Sequence, residues 1–285
     1  MNKRTNDIWQ IVKRIVIDFA LTLFSLFDWR NDGFSCSEQD ENKKLYRWLL
    51  LAAVLFGALL RIFIAVRDPQ FTPDGVYYLK VAEMWSRSSF SALIEDDPVF
   101  YIPPVMLGLI QFCIRLGCPP PIAGSVLNLL FGIGLIPLFY FVGQALFDSR
   151  KAGVVAAFLV SFNPVLVNYS SNIMRENFML AFEAAFLFFA ILGFRKRNIF
   201  FAVSGFCLAW AIFSRYEALE ILPFMALSFL WFAAAGIVAW KKTVIGGIYF
   251  LSGLVAGCVL LTLIFQIPFS FYTDAVWAKI AGTLL

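Results

Sequence analysis

Apolar stretches close to membrane-span length, parted by short polar turns, make up most of this chain. They run over 48–66, 99–116, 122–147, 152–168, 177–194, 199–214, 218–239 and 243–268. A helix needs about 20 apolar residues to cross a hydrocarbon layer about 30 Å thick. Inside lipid each segment must also satisfy its own backbone hydrogen bonds. The pattern therefore predicts an all-α fold, a polytopic transmembrane helical bundle. Two stretches depart from it. Residues 8–27 are apolar but broken by Lys13, Arg14 and Asp18, and a charge at mid-bilayer costs roughly 2.5–3.5 kcal/mol. They predict an amphipathic helix lying on the membrane, followed by a polar linker at 31–42. Residues 99–116 follow Pro98, contain Pro103-Pro104 and Arg115, and stop at Gly117 and Pro119-Pro120-Pro121. They predict a short interfacial or re-entrant helix that does not cross.

Charge then sets the orientation. Basic clusters lie at Arg150-Lys151, Arg195-Lys196-Arg197 and Lys241-Lys242, and the N-terminal region carries Lys3, Arg4, Lys13 and Arg14. If every apolar segment crossed, the clusters would face away from the N-terminus. If 99–116 stays on one side, all of them share the cytoplasm, as the positive-inside rule requires. This leaves about seven spans: 48–66, 122–147, 152–168, 177–194, 199–214, 218–239 and 243–268. Residues 1–47 become a cytoplasmic amphipathic N-terminal segment, with no cleavable signal sequence visible. Residues 48–268 form the transmembrane domain, with an exoplasmic loop at 67–121 that holds juxtamembrane helices. Residues 269–285 start an exoplasmic C-terminal segment.

Composition narrows the chemistry. With 61% hydrophobic and 15% charged residues among 285, the partner is a lipid bilayer and not nucleic acid. There is no histidine, so the commonest transition-metal ligand and the usual neutral-pH base are missing. Any metal would be a hard divalent cation on carboxylates; no cofactor is called for, and the metal ligands stay unknown. The five cysteines lack CxxC spacing. Cys207 and Cys258 fall in apolar segments and suit small core positions, and Cys113 with Cys118 could form a disulfide.

The polar residues that remain gather on the three outer connections. The first, 67–104, carries Asp68, Asp74, Glu83, Glu95, Asp96 and Asp97. Its centre is Pro73-Asp74-Gly75, where proline and glycine favour a turn, and an aromatic and aliphatic helix suited to the headgroup layer follows. The second ends in Arg175-Glu176, and the third reads Ser214-Arg215-Tyr216-Glu217. Each residue also has a plain structural role. Arg61 can snorkel from the end of its span, or point inward as a fixed cation below Asp68 and Asp74. Glu176 can favour its helix N-terminus. Arg215 and Glu217 can form an interfacial ion pair, which stabilises little. Glu183, inside a span, suits either helix packing or a polar pocket. Taken together the set fits transfer of a group from a phosphate-bearing lipid. A carboxylate deprotonates a hydroxyl during attack, and an arginine or bound cation stabilises the departing phosphate.

In order and spacing these stretches resemble the GT-C membrane glycosyltransferases of the protein-mannosyltransferase and lipid A aminoarabinose-transferase type. Leu60-Arg61 followed by Pro73-Asp74-Gly75-Val76-Tyr77-Tyr78-Leu79-Lys80-Val81-Ala82 is similar to the family's Arg…Asp-Glu-x-x-Tyr-x-x-x-Ala loop. Tyr101-Ile102-Pro103-Pro104-Val105 is similar to its Pro-Pro-Leu element before a juxtamembrane helix. Leu146 to Gly153, running through Asn163-Pro164 to Tyr169 and Arg175-Glu176, gives a third piece. Gly205 to Ala209, ending Ser214-Arg215-Tyr216-Glu217-Ala218-Leu219, gives a fourth. The resemblance covers roughly 45–225. It implies a polyprenyl-phosphate-linked sugar donor, a glycan, lipid or protein acceptor, and inverting displacement at the exoplasmic face. It puts Asp74 at the catalytic acidic position and Glu176 at the acidic position of the second loop. At the outer ends of the spans, Arg61, Arg215 or Arg175 is the candidate to hold the donor phosphate, with Glu176 and Glu217 as pocket acids. The expected location is a bacterial plasma membrane, multi-pass, with the N-terminus cytoplasmic. Gly75 stands where the family has a second acid, and Ile102 where it has a basic residue. The chain is also short for the family. Two other readings stay open: a non-catalytic lipid-carrier or glycan-binding membrane subunit, and a transporter or flippase. Only Glu183 offers the mid-bilayer polarity that the last would need.

Overall fold

The computed structural model describes residues 43–67, 72–96 and 102–281. The amphipathic segment and linker predicted before residue 43, Asp68, Asp97 and the last four residues lie outside the described residues. Everything described is helix or short connection. In chain order the helices are α1 (Lys43–Arg67), α2 (Pro73–Arg87), α3 (Phe90–Asp96), α4 (Pro104–Arg115), α5 (Pro120–Phe147), α6 (Arg150–Phe162) and α7 (Pro164–Ser171). They continue with α8 (Glu176–Arg195), α9 (Ile199–Ile212), a 3-10 turn (Tyr216–Glu220), α10 (Ile221–Ala234), α11 (Trp240–Phe265) and α12 (Phe269–Ile280).

The predicted bundle is present, and its span lengths differ from the sequence expectation in two places. Among the described residues, α1, α5, α8, α11 and the stretch Tyr216–Ala234 are long and apolar enough to cross a membrane. The expected span at 152–168 is a bent pair, α6 and α7, meeting at 55°. Asn163 and Pro164 cause the bend. Proline cannot donate to the helix before it, and the Asn163 side chain caps α7 by accepting from the Val165 and Leu166 amides at 2.9 and 3.2 Å. The expected span at 199–214 is α9, of only 14 residues, a rise of about 21 Å. It packs between α8 and α11, and most of its residues are buried. Helix α4, at 12 residues, rises about 18 Å and falls well short of the bilayer. Its Val105, Met106, Leu107 and Ile110 are fully buried against the bundle.

The apolar positions divide as a membrane bundle requires. Leu55, Leu59 and Phe63 of α1, Phe224 and Trp231 of α10, and Leu251, Val255 and Leu263 of α11 point outward. Between the helices, close packing comes from small residues. A Cβ on Gly205 of α9 would overlap the Phe250 carbonyl of α11, and one on Gly253 of α11 would overlap the Ala202 carbonyl of α9. The two backbones therefore touch directly, which is how helices gain van der Waals contact where the hydrophobic effect gives none.

The two ends of the bundle differ in charge. Arg195, closing α8, donates to the Leu146 carbonyl near the end of α5 at 3.2 Å, and Lys242 of α11 donates to the Phe194 carbonyl at 3.0 Å. The three basic clusters thus share one end. Helix α8 has 20 residues, so its start at Glu176 lies about 30 Å away at the opposite end, together with the close of α9.

The helix contact gives the first prediction. Gly253→Val should destabilise the bundle by about 1–3 kcal/mol, as expected of overpacking. Gly247→Ala on the same helix, where a Cβ meets nothing within 4 Å, should not. Thermal unfolding in one detergent compares them, and equal midpoints would contradict the packing.

Candidate functional site

Three connections meet at the end opposite the basic clusters. The first is the start of α2. Thr72 caps it, accepting from the Gly75 amide at 3.1 Å, with Pro73 at the first helical position and Asp74 in the first turn. Threonine, proline and an acid in that order are what a helix N-terminus favours. Asp74 is exposed. One turn later Tyr78 lies on the same face, and only 8% of its surface is open.

The second connection runs from α7 to α8. Ile173 is buried and wedges between α2 and α5: a Cβ on Gly75 would come within 3.1 Å of its carbonyl oxygen, and one on Gly124 within 3.0 Å of its side chain. Arg175 follows, and its guanidinium carbon sits 5.0 Å from the centroid of the Tyr78 ring, a cation–π contact. Among the described residues Arg175 makes no ion pair. Glu176 opens α8 and sends its carboxylate to Arg215.

The third connection closes α9. The Phe213 carbonyl accepts from the Val105 amide at 3.0 Å, which ties the Pro103-Pro104 element to this end of α9. The Ser214 hydroxyl donates to the Trp210 carbonyl at 2.7 Å. Arg215 then leaves the helix in an extended conformation. It donates through Nη1 to Glu176 and through Nε to Glu217 Oε2 at 3.1 Å. Burial pulls its pKa down, but the Glu217 hydrogen bond and the charges of Glu176 and Glu217 outweigh burial and leave it above the usual arginine value.

Tyr78 sits where these groups meet. Its pKa is raised, first by burial, then by the charges of Asp74 and Glu176, against the opposing pull of Arg175 and Arg215. At neutral pH it therefore keeps its proton and can donate a hydrogen bond. The sequence reading placed Tyr78 at the tyrosine of the Asp-Glu-x-x-Tyr motif but gave it no role; its spacing, four residues after Asp74 on a helix, puts both on one face.

Asp74, Arg175, Glu176, Arg215 and Glu217 thus stand together. Arg61 does not join them, and its expected place against a phosphate is corrected. It is fully buried, and its guanidinium donates to the Gly57, Ser161 and Val160 carbonyls and to the Ser170 hydroxyl. Glu183 lies two turns along α8 from Glu176, half-buried and within the reach of the Arg215 charge. As for a metal, Glu176 and Glu217 already enclose Arg215, and among the described residues no three acids or cysteines stand close enough to share an ion.

An all-helical, multi-pass membrane protein with an acid and arginine cluster at one end of its bundle is the class that fold and geometry define. The profile of the dolichyl-phosphate-mannose-protein mannosyltransferase family matches residues 101–268, more than half of the chain, and the chain belongs to that family. Its coarse activity is therefore that of a membrane glycosyltransferase of the mannosyltransferase-like kind. The match spans Arg175, Glu176, Arg215 and Glu217 and begins after Asp74 and Tyr78. Neither curated proteins nor solved structures give a match.

The Ile173 carbonyl also crowds position 75, where a Cβ would stand 3.1 Å from its oxygen and force a shift of a few tenths of an ångström. Gly75→Glu should therefore lower the unfolding midpoint and leave transfer no faster than in the parent. A stable Gly75→Glu protein with higher turnover would show that the position is open.

Proposed function

We propose that the chain transfers a sugar from a polyprenyl-phosphate-linked donor to an acceptor hydroxyl, at the exoplasmic end of the bundle, by a single inverting displacement. One observation carries the reading: Arg175, which makes no ion pair among the described residues, lies beside a protonated tyrosine and an exposed carboxylate, at the bundle end that lacks the basic clusters. Positive-inside orientation supports placing that end outside.

The roles follow from the geometry. Arg175 offers guanidinium donors to the phosphate oxygens, in the paired manner that a lysine cannot reproduce. The Tyr78 hydroxyl is placed to donate beside it. Arg215, held by Glu176 and Glu217, supplies a second, anchored positive charge. The acceptor oxygen attacks the anomeric carbon and its proton passes to Asp74. The carbon–oxygen bond to phosphate breaks, and the polyprenyl phosphate leaves with the electron pair, its charge met by the arginines. A phosphate leaving group needs no general acid.

Asp74→Asn should lower turnover of a polyprenyl-phosphate sugar by roughly 10²-fold or more, with the protein still folded; undiminished transfer contradicts the assignment. Arg175→Lys should weaken donor binding by about 1.5–3 kcal/mol, and parent-like affinity would place the phosphate elsewhere. Donor binding without transfer in the parent protein itself would favour the lipid-carrier reading.

Because the protein's own arginine fills the space between Glu176 and Glu217, transfer is expected to survive a strong chelator. Loss with chelator and recovery with a divalent cation would overturn that.

A further inference from the structure

We propose that Arg61 is a positioning residue: it fixes the loop carrying Arg175 and Glu176 by filling the carbonyls that the Asn163-Pro164 break leaves open. The inference rests on the transfer site proposed above. In a continuous helix the Val160 carbonyl would accept from the amide of residue 164, and the Ser161 carbonyl from that of residue 165. Pro164 has no amide hydrogen, and the Val165 amide is taken by Asn163 Oδ1 at 2.9 Å. Two carbonyls are thus stranded in the interior, where a backbone group without a partner is costly.

Arg61 fills both. Its Nη2 donates to the Val160 carbonyl at 2.9 Å and its Nη1 to the Ser161 carbonyl at 3.2 Å. Nη1 also donates to the Gly57 carbonyl of its own helix at 3.1 Å. Nε reaches past the bend to the Ser170 hydroxyl at 3.2 Å. One planar guanidinium therefore holds α6 and α7 together across their 55° bend. Carbonyl dipoles surround its charge.

The Ser170 hydroxyl passes the constraint on. It also accepts from Asn177 Nδ2 at 3.3 Å, and the same nitrogen donates to Asn128 Oδ1 of α5 at 3.0 Å. The Asn128 amide donates to the Asn172 carbonyl. Asn172 precedes Arg175, and Asn177 directly follows Glu176. Both flanks of the site loop are thereby tied to Arg61 through buried polar groups, so a change at Arg61 reaches the two charged residues without touching them.

A lysine cannot take this place, because its ammonium is a point charge and not a fork. The test is hydrogen exchange in nanodiscs on Arg61→Lys and on Ser170→Ala, which removes one hydroxyl and should fold normally. Exchange over 170–178 should rise by tenfold or more in Arg61→Lys and by less in Ser170→Ala, while 250–262 of α11 keeps the parent rate. Transfer should fall in Arg61→Lys, and the loss should shrink when Glu176→Gln is already present, because both act through one loop. Parent-like exchange over 170–178 in both variants, a uniform rise along the chain, or additive losses in the double variant would each overturn the proposal. Exchange requires no turnover, so failure here is distinguishable from failure of the transfer reaction, which Asp74→Asn and Arg175→Lys read separately.

Discussion

Polar groups inside the bundle must find their partners within the chain, because lipid offers none. That constraint is tightest at the break between α6 and α7. Pro164 removes an amide, Asn163 diverts another, and a fully buried arginine from a helix 100 residues earlier fills the vacancy. The bend lets α7 turn away from α6, and the connection after α7 delivers Ile173, Arg175 and Glu176 to the end of the bundle.

A second constraint works at the end of the bundle itself. Close packing through Gly205 and Gly253 holds α9 against α11, and the Phe213 carbonyl tied to Val105 holds its last turn. Arg215 emerges from that turn with two carboxylates as neighbours, one from its own 3-10 turn and one from α8. The pair with Glu217 is exposed on the acid's side and stabilises little on its own, whereas the pair with Glu176 is partly buried. Their value here is geometric, since they aim one cation, while Arg175, which makes no ion pair among the described residues, lies on Tyr78.

Much of this was legible in the sequence, for physical reasons. Apolar runs announce spans because the bilayer demands them, and Pro98, Pro103-Pro104 and Pro119-Pro120-Pro121 mark α4 as too short to cross. The connections at the end away from the basic clusters could be read as one polar set because short basic turns alternate with them. Other features were hidden. Arg61 looked like an interfacial cation because its partners, Val160, Ser161 and Ser170, are remote in sequence and three of its four acceptors are backbone oxygens. The 199–214 segment looked like an ordinary span because hydropathy does not distinguish a buried core helix from a lipid-facing one. Gly75 looked like a lost acid, and the crowding of that position by the Ile173 carbonyl, remote in sequence, was not visible.

The central claim is that the acid and arginine cluster receives the phosphate of a lipid-linked sugar. Cryo-electron microscopy of the protein in nanodiscs loaded with a polyprenyl phosphate tests it most directly. The account predicts phosphate density within hydrogen-bonding distance of the Arg175 guanidinium, with Asp74 and Tyr78 beside it. Phosphate density at the opposite end, among Arg195, Lys241 and Lys242, would contradict it.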